Sequence, residues 1–556
     1  MFNLTTTYHY APELAEQFSE IHFNSHHNHH AISNLDKNCD MYAPEIDWYL
    51  SHSQDAPQVQ LDKIYKMFQN RLAIYDNAPF KILEQEVGLK LLIIGYEGAN
   101  SQELIDKSQA LGFLPMLVHP SDIISVSGKI GEFEAVCRSE TIRFDQAVLF
   151  VQNPTLEKFL GIVSVQDFYN VEEMLSLLLD RRGTYRYKTT ILYNPNSCQY
   201  HHRRPDKNGE GYCHKCVDVC PSFGVDKNDN LMELVFSQID CKGCGGCVAT
   251  CPTGAIDFAP YTIDCLMQGL KYYRNTAVLL IPEEFLPLLQ DYEIPSHLTP
   301  LIIPREKFPS ELHLLSITQE SGYGCIFFSP VVSRPSQEAI ELVNAIYQNI
   351  FKQDAIWVAN DVEALRKIEH LPQPIVQYSY APSPNEHKRK HFAERLRFMV
   401  KDGDFGRVES GKSGKMIRYG TISVDAQKCT LCLSCVESCN VDCLTANHSK
   451  FSLQYKPYLC TTCGYCVETC PEDAIKLDLD GIALNPSWFE MQVVAQDEVF
   501  HCIECQKPIG SKRAIEKIKD KMAGFFASDS AKLRTLECCS DCKVKIMFKH
   551  HFEDEA

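Results

Sequence analysis

Short apolar runs alternate with amphipathic stretches in the second half of the chain. The apolar runs cover residues 277–281, 301–303, 325–328 and 355–359, and helical patterns cover residues 311–320, 336–351 and 361–369. Strands that alternate with helices are typical of a parallel sheet with helices packed on its faces. We therefore predict a small parallel α/β domain over residues 275–380.

A similar alternation is found earlier in the chain. It predicts strands over residues 90–94, 116–119, 129–136 and 141–151, and a helix over residues 101–110 that ends at Gly112. We therefore predict a second α/β domain over residues 88–185. The loop GYEG after the first of these strands lacks the glycine fingerprint of dinucleotide-binding folds, and no phosphate-binding P-loop is present.

The patterns at the start of the chain and before its last quarter are weaker. Residues 1–87 form an N-terminal region with a histidine cluster over residues 22–30, which is either a nickel or zinc ligand set or a solvated polar segment. Residues 381–421 are rich in Pro, Ser, Gly, Lys and Arg, and we interpret them as a solvated linker, with a hinge or a basic contact arm as the alternative.

Seven cysteines occur twice, at a constant offset of 219 positions. The first set is Cys213, Cys216, Cys220, Cys241, Cys244, Cys247 and Cys251, and the second is Cys432, Cys435, Cys439, Cys460, Cys463, Cys466 and Cys470. Chance does not preserve seven spacings. The chain therefore carries one metal-binding module twice, over residues 186–262 and 422–482.

The spacing indicates the kind of metal centre. The runs that begin at Cys241 and Cys460 both follow C-x2-C-x2-C-x3-C-P, a pattern that holds [4Fe–4S] clusters. Three thiolates of the run bind one cluster, and the fourth, beside the proline, binds the neighbouring cluster. Structural zinc uses pairs of C-x2-C instead, and disulfides do not fit cysteine triplets so close together.

The remaining run of each module is less regular. Cys429, Cys432, Cys435 and Cys439 are present in the second module, but Asn440 stands where the other runs have proline. In the first module the first ligand position falls to Cys198, with 12 residues inserted before Cys213. If Cys198 is not a ligand, the site is a [3Fe–4S] centre or one of three loop histidines replaces the cysteine: His201, His202 and His214. Cys443 either compensates for the missing proline or is a packed thiol.

The two modules resemble bacterial two-cluster ferredoxins. The resemblance implies four clusters, held by Cys198, Cys213, Cys216 and Cys251; by Cys220, Cys241, Cys244 and Cys247; by Cys429, Cys432, Cys435 and Cys470; and by Cys439, Cys460, Cys463 and Cys466. We refer to these as sets one to four.

Another cysteine cluster lies in the last 62 residues, over 495–556. Cys502 and Cys505 form one C-x2-C pair, and Cys539 and Cys542 form another, with Cys538 as an alternative to Cys539. Two such pairs are typical of a structural, zinc-ribbon-like Zn²⁺ site with four thiolates. A fifth iron–sulfur centre and a site without metal are the alternatives.

Charge and hydropathy limit the partners. The net charge of −18 disfavours nucleic-acid binding and favours docking partners with basic patches. No apolar run is long enough to span a membrane, and the start of the chain does not have the pattern of a signal peptide. Together with 26 cysteines, this predicts a reducing, cytoplasmic location.

These patterns predict a multidomain chain of the α/β and α+β classes that transfers single electrons and has no active site of its own. The motifs HRRPDKNGEGYCHKC and FHCIECQKPIG also resemble four-cluster ferredoxin-like proteins associated with formate dehydrogenase systems. That resemblance implies a formate dehydrogenase as a redox partner. The alternatives are a catalytic oxidoreductase subunit with flavin or nicotinamide in an α/β domain, and a redox-sensing assembly factor.

Overall fold

A computed structural model of the protein describes residues 2–4, 21–23, 31–33, 41–368, 376–383, 386–409, 416–527 and 529–553. Most of the predicted histidine cluster lies outside these residues. The first four strands form a parallel sheet: Phe2–Leu4, Ile21–Phe23, Ala31–Ser33 and Met41–Tyr42.

The first α/β unit has a four-stranded parallel sheet. Its strands, in spatial order, are Ile162–Ser164, Gln146–Leu149, Lys90–Ile94 and Leu114–Val118. Helices Ala99–Ala110 and Val171–Asp180 accompany the sheet. The predicted parallel sheet is therefore present, because runs such as 91–94 are apolar at every position and are buried on both faces.

The prediction of one strand over residues 141–151 is wrong. Asp145 interrupts it, and the chain passes from an antiparallel sheet into the parallel one. Strand Thr141–Phe144 belongs to the antiparallel sheet with Phe133–Cys137 and Ile123–Ser127. A further antiparallel pair of strands, Ile82–Val87 with Gly183–Lys188, joins the start and the end of this unit.

The second α/β unit is also a four-stranded parallel sheet. Its strands, in spatial order, are Leu298–Ile303, Ala277–Pro282, Cys325–Phe328 and Ile356–Ala359. Its helices are Glu311–Ser321, Arg334–Phe351 and Val362–Lys367. The hydroxyl of Ser310 caps the first of them, and Gly322 ends it in a left-handed conformation.

Two N-terminal helices belong to the core of this second unit. Helices Pro44–His52 and Pro57–Asn77 bury apolar side chains such as Trp48 and Phe68 against the sheet. The indole of Trp48 donates a 3.0 Å hydrogen bond to the carbonyl oxygen of Leu289. Residues 44–77 thus pack on an element more than 200 positions away in sequence.

The predicted solvated linker contains a buried helix, Lys388–Val400. Phe392, Ala393 and Leu396 are fully buried in the core that also includes the second α/β unit. The guanidinium of Arg395 is buried as well and forms a 3.0 Å ion pair with Glu320. The interpretation as a solvated linker is therefore wrong for residues 388–400, since partners distant in sequence neutralise and bury its charges.

The two cysteine-rich modules have the same secondary structure. In the first, strand Ile191–Tyr193 pairs with Ile256–Phe258, and Val225–Asn228 pairs with Glu233–Phe236. In the second, Thr421–Val424 pairs with Ile475–Asp478, and Leu444–Asn447 pairs with Ser452–Tyr455, which also pairs with Gln492–Gln496. Each module has two short helices: Lys215–Val219 and Gly246–Thr250, and Ser434–Glu437 and Tyr465–Glu468.

The C-terminal unit packs on the second module. It contains the antiparallel pair Val499–His501 and Pro508–Ser511, followed by helices Lys512–Ala523, Ser530–Thr535 and Ser540–Glu553. Outside this unit, Arg407–Val408 and Ile482–Ala483 form a short antiparallel pair of strands. Within the described part of the chain, no helix combines the length and apolar character needed to cross a membrane.

Candidate metal centres

The cysteine loops turn at the same positions in three runs. The second residue after the first cysteine is left-handed in each, at Gly243, Leu431 and Thr462. The residue before the short helix that carries the third cysteine is left-handed as well, at Gly245, Leu433 and Gly464. These turns curl the loop so that successive cysteines face one centre, and two of the three runs adopt them even with a side chain present.

Gly245 and Gly246, between the cysteines of the first module, have close neighbours from the protein. A Cβ atom at Gly245 would lie 2.8 Å from Cα of Phe308, in the second α/β unit. At Gly246 it would lie 3.1 Å from the side chain of Val219. The two glycines therefore allow the first module to pack closely, within itself and on its neighbour.

In each predicted set, one cysteine has the other three members of the set among its neighbours. Burial raises the pKa of one thiol in each set, and the other members of its set add to the effect through their negative charge. In this way Cys216 interacts with Cys198, Cys213 and Cys251; Cys247 with Cys220, Cys241 and Cys244; Cys435 with Cys429, Cys432 and Cys470; and Cys466 with Cys439, Cys460 and Cys463.

The two sets of each module adjoin. Cys216 of set one also interacts with Cys247 of set two, and Cys466 of set four with Cys435 of set three. In the second module the two sets line separate cavities. In the predicted pattern, each cysteine run gives three ligands to one cluster and the fourth to the other, so the two sets of a module must lie side by side.

The chemistry of the sites fits iron–sulfur clusters. Every donor is a thiol, and burial raises the pKa of Cys213 and Cys435 to about 12, so a free thiolate would be costly there. A bound cationic centre reverses this, because a coordinating thiol is deprotonated. Backbone N–H groups of Tyr200, Gly243 and Ala474 each lie 3.4 Å from a cysteine sulfur and donate to it.

Cys198 lies near Cys216 of set one, and the three alternative histidines have other neighbours. Cys198 is buried. His202 faces Glu233, with 2.6 Å between Nε2 and Oε1, and His214 faces Asp218 at 2.9 Å. The ring of His201 stacks on that of His202 with 3.9 Å between their centres. Each of the three histidines thus has a contact with a group outside set one.

Cys443 lies between two predicted ligands of set four. It is buried and lines the same cavity as Cys439 and Cys460. A hydrogen bond from Cys443 lowers the pKa of Cys439 to about 6. Cys443 is thus a fifth cysteine beside the four of set four, and it donates a hydrogen bond to one of them. The sequence pattern did not reveal this contact.

The four tail cysteines form a compact site. The sulfur atoms of Cys502, Cys505, Cys539 and Cys542 all lie within 4.8 Å of one another. The first pair follows the hairpin strand Val499–His501, whereas the second pair lies at the start of helix Ser540–Glu553. Cys538, the alternative, instead directs its sulfur at the carbonyl oxygen of Arg534, 3.4 Å away. This spacing suits one tetrahedral ion with four thiolates.

The insertion in the first module reaches the second module, a contact that the sequence did not predict. Arg203 donates to the sulfur of Cys463 at 3.5 Å. Asn440, the residue in place of proline, donates to the carbonyl oxygen of Cys198 at 2.9 Å. The departure from the C-P pattern at Asn440 was the one signal in the sequence for this contact.

Comparison with known families agrees with the geometry. Two family profiles, both described as a 4Fe-4S dicluster domain, match residues 211–256 and residues 421–471. A comparison with curated proteins gives no significant match. The first match lies within the first cysteine-rich module and begins after Cys198, and the second match covers Cys429 and all seven repeated cysteines of the second module. The chain is thus an iron–sulfur protein with two 4Fe-4S dicluster domains, and these domains support a role in electron transfer.

Proposed function

We propose that the protein relays single electrons through four [4Fe–4S] clusters and has no active site of its own. The observation that supports this proposal is the match of two 4Fe-4S dicluster domains to the two cysteine-rich modules, in which the predicted ligands of each set are neighbours. A cluster held by four thiolates has no open coordination position and exchanges one electron at a time. The protein's own contribution is to hold each set, exclude water from the buried thiols and keep neighbouring sets together.

The relay would exchange electrons with its partner at Cys432. This cysteine is exposed, whereas the other fifteen predicted ligands are buried or half-buried. It lines an open cleft between the two modules, together with residues such as Glu437 and Glu468. Since the chain carries a net charge of −18, a partner with a basic surface would be attracted to the protein.

The redox partner would be a larger oxidoreductase that this chain serves as an accessory protein or subunit. A subunit role in a larger oxidoreductase, such as a formate dehydrogenase, rests on the resemblance of the domain order and of the motifs over residues 202–216 and 500–510. A reducing, cytoplasmic setting would keep the thiols able to bind metal. In the tail, a structural Zn²⁺ held by Cys502, Cys505, Cys539 and Cys542 would anchor the last helix next to the second module.

A reductive titration tests the relay. The protein is purified without oxygen and titrated with dithionite while visible absorption is recorded. We expect uptake of about four electrons per chain, bleaching of a broad brown band, and reoxidation by an added electron acceptor. Resolved flavin peaks, or turnover of formate by the isolated chain, would contradict a pure relay and favour a catalytic subunit.

A further inference from the structure

We propose that Arg203, from the first module, sets the reduction potential of the centre held by Cys463 in the second module, and that the contact between Arg203 and Asn440 fixes set one beside set four. This inference rests on the proposed function. Arg203 lies in the stretch of 14 residues between Cys198 and Cys213, and the corresponding stretch between Cys429 and Cys432 has two residues. The insertion therefore provides a side chain, Arg203, that has no counterpart in the short stretch of the second module.

Arg203 is buried, with 7% of its surface exposed, and its contacts lie in the other module. One terminal nitrogen, Nη1, donates to Sγ of Cys463 at 3.5 Å. The other, Nη2, donates to the carbonyl oxygen of Ser438 at 3.1 Å and to Oδ1 of Asn440 at 2.6 Å. The guanidinium also lies 4.8 Å from the ring centre of Tyr465. The planar guanidinium thus meets four partners at once, which the ammonium of lysine does not reproduce.

Asn440 completes the contact from the second module. Its Nδ2 donates to the carbonyl oxygens of Asn196 and Cys198, at 3.1 and 2.9 Å. Its Oδ1 accepts from Gln199 at 2.8 Å as well as from Arg203. Proline, which follows the corresponding cysteine in the other three runs, has no side-chain amide to make these bonds. Asparagine in place of proline therefore links the two modules. We call the contacts that Arg203 and Asn440 make between the modules the inter-module joint.

The joint connects one particular pair of ligand sets. Asn440 follows Cys439 directly and bonds to the backbone of Cys198, so it links set four to set one. Tyr212, which precedes Cys213, contacts Tyr465, between Cys463 and Cys466, with 4.7 Å between ring centres. Because the sets of each module adjoin, the order along the protein is two, one, four, three. An electron that crosses the joint oxidises the centre of set one and reduces the centre of set four, and no bond forms or breaks.

The positive charge of Arg203 should raise the reduction potential of the centre beside it. Reduction adds a negative charge to the centre, and a buried guanidinium that donates to a ligand sulfur stabilises that state. Arg203 should therefore raise the potential of the set-four centre above the value that this centre would have without the guanidinium. Electrons would then be drawn across the joint from set one into set four.

The test compares Arg203→Gln with Arg204→Gln in the whole chain, loaded and handled without oxygen. Both variants remove one positive charge from adjacent positions, but Arg204 is exposed. In a redox titration followed by electron paramagnetic resonance, we expect Arg203→Gln to lower the ratio of reduced to oxidised form of one centre at least tenfold at fixed potential, which corresponds to a fall in its potential of ~59 mV for a one-electron couple. The Arg204→Gln protein should keep the wild-type potentials.

Several results would overturn the inference. The first is a shift in Arg203→Gln no larger than in Arg204→Gln, and the second is an equal shift of all centres. If Arg203→Gln does not load iron, Arg203→Lys takes its place, with Arg204→Lys as its control: we expect a partial fall at the same centre, and no difference between the pair overturns the inference. Wild-type protein without reducible centres would contradict the proposed function itself, which separates the two failures.

Discussion

Substitution of Glu311 by glutamine should destabilise the junction between the two modules. Glu311 is buried at the start of helix Glu311–Ser321 and forms a 3.0 Å ion pair with Lys388, which is also buried. Lys388 donates to the carbonyl oxygen of Ala249, on the helix that carries Cys247, at 2.8 Å. The hydroxyl of Tyr419, just before the second module, donates to Glu311 at 3.0 Å. One carboxylate thus holds elements from three parts of the fold.

The magnitude follows from the burial of the pair. Burial disfavours the charged form of Glu311, but Lys388 and Arg389 outweigh it, and the pKa of the carboxyl is lowered. The stabilisation is therefore complete above the ordinary glutamate pKa of ~4.3 and is lost as the pH falls through the lowered folded value. At neutral pH the variant leaves Lys388 without its counter-charge, a change that costs about 3–5 kcal/mol.

Thermal unfolding of the metal-loaded protein at pH 7 measures this cost. For a cooperative unit of 150–250 residues, each kcal/mol lowers the melting temperature by roughly 2–4 °C, so we expect a fall of about 6–20 °C in Glu311→Gln. The control is Glu363→Gln, which removes the exposed pair with Lys367 and should change the melting temperature by less than about 4 °C. Equal melting temperatures in the two variants would refute the argument from burial.

Four further substitutions test the ligand sets, the tail site and the joint. In Cys198→Ser, we expect set one to lose its fourth thiolate, so that iron falls by about one to four per chain and a [3Fe–4S] signal replaces one cluster; unchanged iron would exclude Cys198 as a ligand. Cys539→Ser should lose the tail metal while Cys538→Ser retains about one Zn²⁺ per chain, and the reverse result would reassign the site. Asn440→Pro should load iron normally but expose the insertion to protease, because the bonds to Cys198 and Arg203 are lost; equal protection would contradict the joint.

The features that the sequence predicted well depend on local spacing. A cluster has a fixed size, so its ligands must recur at fixed intervals, and a repeat of those intervals is visible in the sequence alone. The central strands were predictable for a similar reason: Cys325–Phe328 is apolar at every position because both of its faces are covered.

The features that escaped prediction depend on partners far away in sequence. Residues 388–400 contain six charged side chains, and their pattern does not show that Glu311 and Glu320 neutralise two of them in the core. The contact of Arg203 with Cys463 joins residues 260 positions apart. Such contacts follow from how the units pack, and single-sequence periodicity carries no information about that packing.

Metal and sulfide analysis of protein prepared without oxygen tests the central claim most directly. The account predicts about sixteen irons, about sixteen acid-labile sulfides and about one zinc per chain, in a brown protein. A colourless protein whose thiols hold zinc throughout would contradict it, and about eight irons would mean that only one module binds clusters.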